Sequence, residues 1–123
     1  MQFATSIHCM DGRIQEPIIQ YIKTKYHVQY VDVITEPGPC RIMAENVNDP
    51  VMAAIDKRID ISLHVHGSKV IALCGHHDCA GNPVSKAVQI QQVHTGAIVL
   101  KEKYPEAQVV KLWVNEDWEV EEL

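Results

Sequence analysis

The stretch VIALCGHHDCAG, residues 70–81, decides how this chain folds, because five apolar residues from Val70 to Cys74 give way at once to Gly75, His76, His77, Asp78 and Cys79. An unbroken apolar run of that length, closed by glycine, reads as a central parallel strand covered on both faces. His76 and Cys79 follow it three residues apart, with borderline and soft donors at chelating spacing for zinc. Two ligands do not close a site. A third has to come from elsewhere, and IHCMDGR, residues 7–13, offers Cys9 with Asp11 and Arg13 behind it.

Outward from that strand, the pattern alternates. Residues 2–8 form a short apolar run broken at Asp11-Gly12, a buried strand ending in a loop. Ile14, Ile18 and Ile22 recur every fourth residue, with Pro17 in the first turn of the helix they predict. Residues 28–34 are β-branched and aromatic, and EPGP at 36–39 ends that strand. Asp49-Pro50 is an N-cap followed by proline at the first helical position, and Met52, Ile55 and Ile59 mark one face. The segment IDISLHVH, 59–66, alternates like a strand, but the strong start and Gly67 as a stop favour one helix throughout. Asn82-Pro83 repeats the start signal for a helix carrying Val84, Ala87, Val88, Gln91, Ala97 and Ile98, which runs to about Lys103 and is stopped by Tyr104-Pro105. Residues 108–114 form another strand, and 119–123 form a short last one after the turn at Asn115. The expected fold is therefore α/β: an open, mostly parallel sheet of order about 2-1-3-4, with a C-terminal antiparallel edge strand and helices on both faces in three layers. One domain spans residues 1–123, without repeat or linker.

Composition bounds the function. Hydrophobic residues make up 46% of the chain and charged residues 22%, the balance of a globular protein. A net charge of −5 without Lys/Arg clusters excludes a phosphate-backbone footprint, so nucleic acid is not expected as a partner. No apolar run approaches the ~20 residues that cross a bilayer, and MQFATSIHCMDGR shows no basic leader with a long apolar segment, so a cytoplasmic protein without membrane association is expected. Cys9, Cys40, Cys74 and Cys79 read as reduced thiols or ligands rather than bridges. The acidic tail NEDWEVEEL reads as a solvated hairpin or edge.

In such sheets the functional crevice lies outside the carboxyl ends of the strands, where strand order reverses. Cys9 follows the first strand and His76 the third, neighbours in a 2-1-3-4 order. If the segment stays extended, Cys9, Asp11 and Arg13 point the same way. Three protein ligands leave a fourth tetrahedral position open, the arrangement of catalytic zinc, and Asp11 either fills or guards it. Two thiolates cancel the dication's charge, so its water is expected to ionise somewhat above ~7 and activity to favour alkaline pH. Arg13 paired with Asp11 keeps the carboxylate ionised.

CMDGR and GHHDCAG, each after a strand on alternating β and α elements, resemble the β-class carbonic anhydrases, from the first strand to the last hairpin. The resemblance implies zinc on Cys9, His76 and Cys79, an Asp11–Arg13 dyad, and attack of zinc-bound hydroxide on carbon dioxide to give bicarbonate, in a homodimer or higher homo-oligomer. Three departures stand out. The helical arm that precedes the first strand in many members, with its substrate-contacting glutamine, has no counterpart before Cys9. TEPGPCR, 35–41, stands where the family has an arginine-asparagine-alanine-glycine stretch, and the chain is shorter between Cys79 and the last strand. The same site serves two other readings: a carbonyl sulfide or carbon disulfide hydrolase, and a zinc-binding module without catalysis.

The remaining cysteines and histidines read more plainly. Cys74 within VIALC is core packing, whereas Cys40 is open between a loop thiol and a residue near the site. His77 is a solvent-facing residue or a proton shuttle. His64, His66 and His94 read as surface or interface residues, and His8 and His27 carry no signal.

Overall fold

The computed structural model describes residues 1–123. The chain runs β1 (Phe3–Cys9), α1 (Gln15–Tyr26), β2 (Tyr30–Glu36), α2 (Pro39–Glu45), α3 (Pro50–Asp60), β3 (Val70–His76), α4 (Lys86–Lys103), β4 (Gln108–Val114) and β5 (Val120–Glu122). Its sheet has the order β2-β1-β3-β4-β5, with the first four strands parallel and β5 antiparallel to β4. The expected α/β fold is the one observed.

All seven residues of β3 are buried, because helices cover both faces of the sheet there. Side chains alternate across a strand, so Val70, Ala72 and Cys74 meet Ile14, Ile18 and Ile22 of the α1 side. Ile71 and Leu73 meet Met43 of α2, Met52, Ile55 and Ile59 of α3, and Val93 and Leu100 of α4. Fully burying one such isoleucine stabilises the fold by about 1.5–3 kcal/mol, so the two layers together supply most of the driving force. No helix is long and apolar enough to cross a membrane.

Asp49 caps α3 as expected, its Oδ1 accepting the Met52 N–H at 2.9 Å. The ambiguous segment after it is helical. Residues Ile61–Val65 widen into a π-turn, in which the His66 N–H reaches the Ile61 carbonyl at 3.0 Å, and Gly67 ends the run at φ 75°. The extra residue in that turn rotates Ser62 inward, where its Oγ donates to Asp32 Oδ2 at 2.7 Å.

Two elements differ from the sequence reading. Residues 39–45, to which the sequence reading assigned no element beyond the turn ending at Pro39, form α2, a seven-residue helix entered from Gly38 at φ 60°. The last long helix starts at Lys86, capped by Ser85 Oγ accepting from the Val88 N–H at 3.2 Å, and not at Asn82-Pro83. Asn82 is buried with its side-chain amide donating to Gln92 Oε1. The buried face of α4 is Gln89, Val93, Gly96, Ala97 and Leu100, so Ala97 alone of the six expected residues faces the core. Val84, Val88 and Ile98 are exposed. Apolar residues surround this helix, so periodicity does not single out the packed side. Gly96 does: a Cβ there would fall 2.8 Å from Leu73 Cδ2 and 3.0 Å from Met43 Cβ, so glycine sets how closely α4 approaches α2 and the sheet.

Candidate metal centre

Cys9 and His76 are the last residues of β1 and β3, and Cys79 lies in the loop that follows. One donor atom from each falls within a group spanning 4.8 Å, and all three residues are buried. His76 donates from Nδ1 to the His77 carbonyl at 2.7 Å, which leaves Nε2 as a lone pair. That Nε2 is buried without any hydrogen-bond partner. A buried polar atom left unpaired is costly, which makes this Nε2 a candidate ligand atom. The two sulfurs stand 3.9 Å apart. Thiolates about 2.3 Å from a tetrahedral zinc ion lie about 3.8 Å from each other, so the two sulfurs already have the spacing that zinc requires.

Without an ion the three groups do not hold two thiolates. Burial works to raise the Cys9 thiol, but the His76 ring and the backbone N–H groups of Gly38 and Asp11 bring it down to about 7. Burial works to lower His76, but the Cys9 sulfur, the His77 carbonyl and the Asp11 carboxylate together raise the imidazole. Burial and then the nearby Cys9 push Cys79 up to about 11.

Three sets of contacts fix these candidate ligands, and residue spacing announces none of them. Gln89 of α4 grips the His76 backbone from both sides, its Oε1 accepting the His76 N–H and its Nε2 donating to the His76 carbonyl, each at 2.9 Å. Gln15 donates to the carbonyls of Cys9 at 2.9 Å and Asp11 at 2.7 Å. Its Oε1 therefore accepts from His8 Nε2 at 2.8 Å, and His8 Nδ1 accepts from Ser6 Oγ at 2.7 Å. His8, which carried no signal in the sequence, is a fully buried linker in this chain of bonds, and burial lowers it to about 4. Finally, the loops after β2 and β3 pack back to back. A Cβ on Gly81 would fall 2.7 Å from Pro37, and one on Gly38 would fall 2.5 Å from Asn82 Cβ. TEPGPCR thus forms a wall of the site and presents the Gly38 N–H to Cys9.

Asp11 and Arg13 do pair, but not by strand alternation. β1 ends at Cys9, and the chain turns so that Asp11 Oδ1 accepts the Arg13 backbone N–H at 2.9 Å. The guanidinium then forks onto the carboxylate, with Nε to Oδ1 at 3.0 Å and Nη2 to Oδ2 at 2.7 Å. Those bonds hold the Asp11 carboxyl down to about 2. Asp11 lies outside the three-atom donor group.

Cys40 is no loop thiol: it is buried in the first turn of α2 and donates to the Cys74 carbonyl at 3.3 Å, and burial raises its thiol. Cys74 is core, as expected. His77 faces solvent beside Trp118, their ring centroids 6.1 Å apart. His66 stacks on Phe3 and binds Asp32, and His64 contacts Glu106 at the surface.

A family model described as putative carbonic anhydrase matches residues 1–123. No curated protein sequence matches the chain. Among solved structures, a β-carbonic anhydrase from the filamentous ascomycete Sordaria macrospora, described as tetrameric, superposes with a TM-score of 0.67 at 17% identity, over 99% of this chain and 80% of its own. β-Carbonic anhydrase isoform I of Trichomonas vaginalis gives 0.61 at 15% identity, over 98% and 81%. A β-carbonic anhydrase of Aspergillus fumigatus gives 0.56 at 15% identity, over 99% and 74%. At these identities the likeness is one of fold.

Proposed function

Since the chain belongs to the putative carbonic anhydrase family, we propose that it catalyses the reversible hydration of carbon dioxide to bicarbonate, with zinc held by Cys9, His76 and Cys79. The observation that carries this reading is the unpartnered, buried Nε2 of His76 set beside two sulfurs 3.9 Å apart. Cys9, His76 and Cys79 would hold the zinc, which when bound would lower the pKa of water and so supply hydroxide as nucleophile.

The chain's own residues do the rest. Asp11, ionised across the working pH range, is an acceptor only, so it takes the hydrogen bond of a hydroxyl brought against it and directs that oxygen's lone pair toward the carbon of carbon dioxide. Arg13 holds Asp11 in that role by two-pronged pairing. Gln89 and Gln15 keep the ligand-bearing backbone fixed, so the geometry is set before substrate arrives. Four free, buried thiols fit a reducing compartment such as the cytoplasm. Self-association is part of the proposal: the Sordaria macrospora relative is described as tetrameric.

Metal analysis with stopped-flow carbon dioxide hydration between about pH 7 and 9, on wild type and Cys79→Ala, tests the reading. One zinc per chain, hydration that rises with pH, and loss of both in the variant is the expected result. Zinc without hydration would overturn the activity and turn attention to carbonyl sulfide, carbon disulfide or a binding role. Absence of zinc would overturn the site.

A further inference from the structure

Four residues other than glycine hold a left-handed backbone: His27, Asn46, Asp78 and Trp118. His27 and Asn46 are helix C-caps, where that conformation is an ordinary ending. Asp78 (φ 58°) and Trp118 (φ 59°) end no helix. Aspartate tolerates left-handed φ, whereas for a tryptophan it is an outlier that the surroundings must enforce, and enforced strain collects at functional positions.

The enforcement is visible. In the turn between β4 and β5 the Asn115 carbonyl accepts the Trp118 N–H at 3.0 Å, and Asn115 Oδ1 accepts the N–H groups of Asp117 at 2.9 Å and Glu119 at 3.0 Å. What the strain achieves is visible too. The indole covers the guanidinium of Arg13, whose central carbon lies 4.4 Å from the ring centroid. Asp78 takes the same guanidinium from another edge, with Nη1 to Oδ2 at 3.2 Å and Nη2 to the Asp78 carbonyl at 3.1 Å. The two strained residues outside helix ends therefore converge on one side chain. Arg13 has Asp11 on one edge, Asp78 on another and Trp118 over its face.

Arg13 needs such a clamp, because its side chain is 45% exposed, and exposed ion pairs by themselves are weak and mobile. We propose that Trp118 is a positioning residue: by a cation–π contact it immobilises Arg13 and thereby fixes the direction of the Asp11 carboxylate. This rests on the reading of Asp11 as the acceptor in carbon dioxide hydration. The competing role is purely structural, since Trp118 also walls a groove of about 520 Å³ with Pro17 and Tyr21 of α1.

Two variants of the full-length protein separate these roles. Trp118→Leu keeps apolar cover and the same backbone demand but has no π-face, whereas Trp118→Tyr keeps a π-face. Exchange of the Arg13 Nε proton, followed by NMR, reads the clamp without reference to activity. It is expected to accelerate roughly three- to fivefold in Trp118→Leu and to stay near wild type in Trp118→Tyr, with kcat for hydration falling and recovering in parallel while zinc content is unchanged. Equal exchange in wild type and Trp118→Leu would overturn the proposal and leave Trp118 as groove lining. Faster exchange in a protein without hydration activity would uphold the clamp and overturn the proposed function instead. Should Trp118→Leu fail to fold, Arg13→Gln is read by fluorescence: Trp118 emission is expected to shift, and unchanged emission would overturn the proposal.

Discussion

The Sγ atoms of Cys9 and Cys79 stand 3.9 Å apart beside the carboxyl ends of two neighbouring parallel strands. Thiolates at that separation repel, and only a cation between them lets both be deprotonated. Chelating the metal is therefore expected to leave a folded protein, held by its two apolar layers, that melts roughly 5–10 °C lower, the size of shift a tightly bound ligand confers on a domain of this length. Calorimetry before and after dialysis against a strong chelator measures it. An unchanged melting temperature after metal loss would sink the idea that the ion bridges β1 and the loop after β3.

Asp11 is expected to matter to turnover and not to metal. Asp11→Asn keeps the size of the side chain but replaces one acceptor oxygen with a donor and breaks the charge pairing with Arg13. Hydration is expected to fall by roughly a hundredfold or more, the scale of a lost proton-handling group, with zinc content intact. Normal hydration in Asp11→Asn would remove Asp11 from the mechanism.

Gly81 lies against Pro37, where a Cβ would come within 2.7 Å of backbone as well as side-chain atoms. Gly81→Ala forces the loops after β2 and β3 apart, at a cost of about 1–3 kcal/mol by chemical denaturation. The same movement withdraws the Gly38 N–H from Cys9. Zinc affinity is thus expected to drop with stability; a variant that loses stability alone would show that this wall does not support the ligand.

Much of this was legible in the sequence, for identifiable reasons. The succession of strands and helices followed from alternating periods, and Cys9, His76 and Cys79 from donor chemistry at and just after strand ends. The helix at 39–45 was hidden because PGP at its start reads as a turn and seven residues are too few to show a period. The face of α4 was misread because Val84, Val88 and Ile98 compete with Val93 and Leu100 for the inside. Gln15, Gln89 and His8 could not be found at all. Gln89 and Gln15 hold backbone groups brought near by the fold, and His8 bonds the side chains of Ser6 and Gln15, so sequence spacing carries no trace of their roles.

Gln15 offers a direct check of that hidden layer. Gln15→Leu strips the Cys9 and Asp11 carbonyls and the His8 Nε2 proton of their partners. Stability is expected to fall by about 2 kcal/mol, and amide exchange in residues 9–13 to quicken. Unaltered exchange there would mean that the loop is held by Arg13 and Asp78 alone.

Alkaline pH probes the opposite end of the molecule. Burial and then the hydrogen bond to Asp56, 2.8 Å from its oxygen, raise the Tyr104 phenol above its ordinary value of about 10. A folded-state pKa above the unfolded one gives stability that is complete below about pH 10 and is lost as pH rises through that value toward the folded one. The stability difference between wild type and Tyr104→Phe is expected to shrink between about pH 9 and 11, measured by urea denaturation. A difference that stays constant over that interval would contradict the assignment.

The division of the ligands between β1 and the far side of β3 also sets an order of events during synthesis. A zinc finger gathers its ligands within one short segment, so folding and metal capture are a single step. Here a nascent chain that has emerged through α3 carries Cys9 and none of its companions. The socket exists only after β3 has been made and has paired with β1, a distant contact of the slow-forming kind. A metal bound there would therefore meet a finished protein, and the shape of the socket, not the course of folding, would select which ion stays.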